Sequence, residues 1–95
     1  MHEEKHAAIA KYLSESFTGC EIEQKSDFDR DAQSFKVHVP KATLLLKVGN
    51  NFLDDNDTAE ILRLLKSWAI EEILGKEKDL GVVVSQRGPE LFKRG

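Results

Sequence analysis

Three aspartates at alternate positions, Asp27, Asp29 and Asp31, are the residues of this chain whose type and spacing best suit a metal. They fall at positions one, three and five of an EF-hand calcium loop, where carboxylates supply the hard oxygen ligands the ion takes. The match stops at position six, where the sharp turn needs glycine and Ala32 stands, and at position twelve, where a bidentate glutamate is needed and His38 stands. A solvated hairpin loop is the better reading, with weak cation binding the remaining one. His2 and His6 have helical i, i+4 spacing, and His2-Glu3-Glu4-Lys5-His6 spells the H-E-x-x-H pattern in which two imidazoles hold zinc. In zinc proteases that pattern sits inside a long buried helix; here it occupies the first residues, where a helix frays. Asp54-Asp55-Asn56-Asp57 is explained by helix capping. We therefore expect no metal and no cofactor.

Nucleophilic chemistry has less support. The serines lack a nucleophile-elbow context, and Cys20 is followed by acidic Glu21 and Glu23 rather than by the basic neighbours that activate a thiol. Gly49, Gly75, Gly81 and Gly88 never cluster into a phosphate-cradling loop. An enzyme is the least favoured class.

Charge is sorted along the chain. Residues 1–24 and 51–75, which read as helix, carry eleven acids against four bases, while residues 25–50 and 76–95 carry ten bases against six acids, for a net charge of −3. If helices cover one face of a sheet, the open face is weakly basic, and Lys25, Lys36, His38, Lys41 and Lys47 are its candidate nucleic-acid or anion contacts. The bland account of the same lysines is that they keep a sheet face soluble and block edge pairing.

The elements that must position these residues can be read from periodicity. Residues 3–18 form an amphipathic helix with Ile9, Leu13 and Phe17 on one stripe, and Gly19 stops it. Cys20 to Lys25 alternates as an edge strand. Phe35, Val37 and Val39, then Ala42, Leu44, Leu46 and Val48, alternate about a Pro40-Lys41 turn as an antiparallel hairpin. Asp57 and Glu60 are spaced to cap a core helix that Gly75 closes. On it Ile61, Leu65, Trp68 and Ile73 share one arc, while Ile70 and Leu74 lie on the opposite, polar side. Leu80 to Gln86 is a last strand whose three valines suit cover on both faces or pairing on both edges, and Gly88-Pro89 ends it.

The order helix, three strands, helix resembles a double-stranded RNA-binding domain. Such domains place lysines at the start of their second helix, where this chain has Asp54, Asp55, Asn56 and Asp57, so the likeness implies topology and not phosphate contact. In size and acidity the chain is similar to bacterial secretion chaperones, which implies a dimer and a protein partner.

The resulting expectation is an α+β fold: one two-layer domain over residues 1–95, order α-β-β-β-α-β, with two helices on one face of a mainly antiparallel sheet and residues 88–95 as a loose tail. The expected role is a small binding or regulatory module acting through protein–protein contacts, with itself or another protein, through Leu45, Ile70, Leu74, Leu91 and Phe92. Nucleic-acid or anion binding through the lysines is the alternative. A single Cys20, no basic–apolar leader and no apolar run of membrane-spanning length point to the cytoplasm and no membrane.

Overall fold

The computed structural model describes residues 3–27 and 31–93. Helix α1 (Glu3–Ser16) turns Ile9, Tyr12 and Leu13 inward at i, i+3, i+4 spacing. Strands β1 (Glu21–Asp27), β2 (Ala32–Val39) and β3 (Ala42–Gly49) follow as an antiparallel meander, with Phe35 opposite Leu46 and Val37 opposite Leu44. Three short helices come next, α2 (Asn50–Asp55), α3 (Thr58–Ser67) and α4 (Ile70–Lys76). The chain returns as β4 (Leu80–Ser85), parallel to β3, and closes with β5 (Gly88–Lys93), antiparallel to β4. The sheet order is β1-β2-β3-β4-β5. This is the expected two-layer α+β architecture, with the order α-β-β-β-α-α-α-β-β.

The core lies between the helices and one sheet face. Period-two alternation sends Phe35, Val37, Leu44, Leu46, Val82 and Val84 to that face, each at most 1% exposed, and the helices cover them. Each such side chain contributes roughly 1.5–3 kcal/mol by leaving water.

Three expectations need correction. Residues 88–93 are not a loose tail but strand β5, in which Leu91 pairs with Val82 and Pro89 with Val84. Gly88, read as a terminator, supplies the hairpin turn after Gln86-Arg87 with φ 99°. Pro89 is tolerated because β5 is an edge strand. The three valines of β4 are thus paired on both edges.

Phe52 and Leu53, assigned to no element from the sequence, are buried on α2. The Lys5 ammonium donates to the Leu53 carbonyl and ties α2 to α1.

The long core helix is broken. Asp57 caps α3, its carboxylate accepting from the Glu60 N–H at 2.8 Å, as the capping box predicts. The Glu60 carboxylate turns instead to Arg63, whose hydrogen bond holds it below its ordinary pKa. At Ala69 the backbone enters the left-handed region, φ 52° and ψ 51°. Its N–H donates back to Lys66 and its carbonyl accepts from Glu72 and Ile73, so one residue ends α3 and starts α4. The break re-phases the chain. Ile70 and Leu74, expected on the polar side as partner contacts, are 0% and 1% exposed and belong to the core.

Tyr12 spans the break from α1. Its hydroxyl is shared between the Leu65 carbonyl of α3, 3.3 Å away, and the Glu71 carboxylate of α4. Burial first, and the Glu71 carboxylate second, push the phenol well above its ordinary value.

Two predictions follow from this geometry. Left-handed backbone costs an L-residue about 1–2 kcal/mol, part of which glycine returns through its looser unfolded chain, so Ala69→Gly should stabilise the fold by about 0.5–1 kcal/mol. Thermal unfolding should show a midpoint raised by roughly 2–8 °C, and a lowered one would contradict the turn. Tyr12 is the only tyrosine, so ultraviolet absorbance titration reads it alone and should place its ionisation well above the ordinary value of about 10. A group with a raised folded pKa stabilises below its unfolded pKa and loses that contribution as pH rises. Stability should therefore fall above about pH 10, and less steeply in Tyr12→Phe.

Candidate ligand-binding face

The strand alternation that fills the core leaves the second sheet face without helices. Across it, register sets Glu23 beside Lys36 and Lys36 beside Leu45, then Leu45 beside Gly81 and Gly81 beside Phe92. One row further, Lys25 lies opposite Ser34, Ser34 opposite Lys47 and Lys47 beside Val83. The expected contacts Lys25, Lys36, His38, Lys41 and Lys47 therefore do share this side, with Lys41 in the β2–β3 turn.

They are not equivalent. Lys25 stands at the β1 edge among Glu21 and Glu23, and the His38 Nε2 lies 3.5 Å from the Glu23 carboxylate while its Nδ1 is 3.4 Å from the Thr43 hydroxyl. On the β1 side, then, glutamates outnumber Lys25. The middle of the face is the reverse. Among the described residues, a shallow hollow of about 690 Å³ there is lined by five lysines, Lys36, Lys41, Lys47, Lys78 and Lys93, against a single acid, Asp79, with Leu45 and Phe92 as apolar floor.

The Phe92 ring crosses β4 at Gly81. A Cβ added at Gly81 would lie 2.2 Å from the ring Cζ, so glycine is what lets the ring lie there. The Lys47 ammonium sits 5.6 Å from the ring centroid, a cation–π contact worth about 0.5–1 kcal/mol at an exposed site.

The expected protein contacts are split by the fold. Leu45 and Phe92 meet on the open face. Leu91, 48% exposed, is on the helix side of β5, beside a groove of about 280 Å³ formed with Ile73, Val82 and Pro89. Ile70 and Leu74 are in the core. Lys78 and Lys93 were not expected at a binding face from the sequence, and Phe92 was expected as a protein contact on a loose tail rather than on a strand. The trace they left was the alternation Pro89, Leu91 against Glu90, Phe92, with a glycine just ahead of a valine run.

Of the metal candidates, His2 and Asp29 lie outside the described residues. His6 is half-buried on α1 with its ring edge-on to Phe35 at 6.4 Å. Asp31 holds a hydrogen bond from Asn50. Among the described residues no three His, Cys, Asp or Glu side chains converge as a metal site, and no helix is long and apolar enough to cross a membrane. The chain matches no protein-family model, no curated protein and no solved structure.

Gly81→Ala tests the floor of the hollow. The far-UV circular dichroism should stay native while the Phe92 ring resonances move; unchanged resonances would mean that the ring does not rest on Gly81.

Proposed function

We propose that the protein is a non-enzymatic binding module that takes an acidic segment of another protein on the open face of its sheet. The observation that carries this reading is the composition of the central hollow, an apolar floor of Leu45 and Phe92 inside a rim of five lysines. An apolar centre with a polar rim is the anatomy of a protein contact, in which the centre supplies most of the binding energy and the rim sets orientation and partner charge. Two copies meeting face to face would oppose their lysine rims, so a distinct acidic partner fits better than a symmetric dimer through this face. The lone, half-buried Cys20 suits a reducing compartment such as the cytoplasm.

A second reading, single-stranded nucleic acid, is favoured by one observation, an aromatic ring among lysines. The two readings separate on salt and on sequence. A fluorescent peptide of alternating glutamate and leucine, and a single-stranded oligonucleotide of equal charge, are titrated at low and moderate ionic strength. Under the first reading the peptide binds more tightly, and Phe92→Ala and Lys41→Glu each weaken it by about tenfold, or ~1.4 kcal/mol. Tighter oligonucleotide binding that collapses with salt would transfer the assignment to the second reading. Peptide binding indifferent to both substitutions would refute the face as the site.

A further inference from the structure

The open face holds a second hollow, at the end where β3 and β4 finish. Its volume is about 470 Å³, inside the range of roughly 300–1,000 Å³ typical of small-molecule sites. β3 and β4 are the parallel pair of the sheet, and their carboxyl ends at Gly49 and Ser85 form its base. Ligands of open sheets with parallel strands bind outside those ends, where the connections leaving neighbouring strands part and make a crevice. Here the connections are α2, leaving β3, and the Gln86-Arg87 turn, leaving β4.

Among the described residues the lining carries two cations, Lys47 on β3 and Arg87 in the turn between β4 and β5. Its one acid among the described residues, Asp31, is engaged. The Asp31 carboxylate accepts from the Asn50 side-chain amide at 2.8 Å, and its carbonyl accepts from the Asn50 N–H at 2.9 Å, which pins the start of α2 against the end of the β1–β2 connection. Asp31 itself sits at φ 51°, a conformation that aspartate tolerates better than most residues. Gln86 donates to Asp55 and so fixes the turn that presents Arg87 against the end of α2. The Arg87 N–H is held by the Ser85 hydroxyl at 3.2 Å. The lining is therefore net positive, its acid is occupied, and its turn is tied down.

We infer that this hollow is a binding site for a small anionic group, a phosphate ester or a carboxylate, held by Arg87 as a forked donor and Lys47 as a point charge. Guanidinium matches the paired oxygens of either anion, and the ammonium adds charge without fixing direction. Asn51 also lines the hollow with its amide group. This hollow shares Lys47 and Phe92 with the central one, and Arg87, which lines this hollow and not the other, is the residue that separates the two readings.

The test is a titration of isotope-labelled protein, followed by amide resonances, with inorganic phosphate and separately with acetate, at ionic strength held constant with sodium chloride. Saturating shifts are expected at Asn50, Asn51 and Ser85 to Gly88, and Arg87→Gln should weaken the binding by about tenfold or more. Lys66→Gln, an exposed change on α3, should leave it unaltered. Saturation by phosphate alone assigns a phosphate ester, and saturation by both assigns a carboxylate-sized anion. Shifts that never saturate, or that persist at full strength in Arg87→Gln, would overturn the site, while peptide binding to the central hollow would be unaffected by that result.

Discussion

At Ala69 the backbone leaves the right-handed region, and the helical pieces on either side can then both lay apolar residues on the same sheet face. A continuous helix from residue 58 to 76 would hold Ile61 and Leu65 inward and carry Ile70 and Leu74 out to water, at a cost of roughly 1.5–3 kcal/mol for each large side chain left exposed. The left-handed residue costs about 1–2 kcal/mol, so burial of two large side chains outweighs it. Tyr12 secures the arrangement, reaching from α1 to a carbonyl before the break and a carboxylate after it. Its burial without those partners would leave a polar hydroxyl unsatisfied, which is the penalty that makes the contact specific.

Once four helices cover one face, the other is bare, and its character follows from residue alternation. Positions facing the core in β2, β3 and β4 are apolar except for Gln33, and those facing away include Ser34, Lys36, His38, Thr43, Leu45, Lys47, Gly81 and Val83. The parallel step from β3 to β4 adds what an antiparallel meander lacks, two strand ends finishing side by side. The helices carry eight acids against five bases and the strands four of each, so the polarity of the molecule rests on the lysines gathered at the central hollow. That polarity is local. It selects anionic contacts at short range without steering them from a distance.

Much of this was legible from the chain. The α1 stripe, the Phe35–Val48 hairpin and the Asp57 cap follow from periodicity and capping chemistry, and the lysines were placed on the correct side because their strand positions have the correct parity. What failed did so for identifiable reasons. Ala69 carries none of the glycine or asparagine that marks a left-handed stop, so its only trace was two apolar residues on the wrong side of a helical wheel. Gly88-Pro89 has the look of a terminator, yet a glycine also makes a hairpin turn and a proline also fits an edge strand, and only the unpaired edge of β4 decides between these. Reading β5 as a tail removed Phe92 from the sheet, and with it the apolar floor of the open face.

Leu45 and Leu91 on one hand, and Ile70 and Leu74 on the other, lie on opposite sides of the water boundary. The direct measurement is attenuation of methyl resonances by a soluble paramagnetic chelate, which acts only on groups that solvent reaches. Leu45 and Leu91 methyl signals should broaden while those of Ile70 and Leu74 stay sharp. Broadening of Ile70 and Leu74 equal to that of Leu91 would contradict the break at Ala69 and return those residues to the surface.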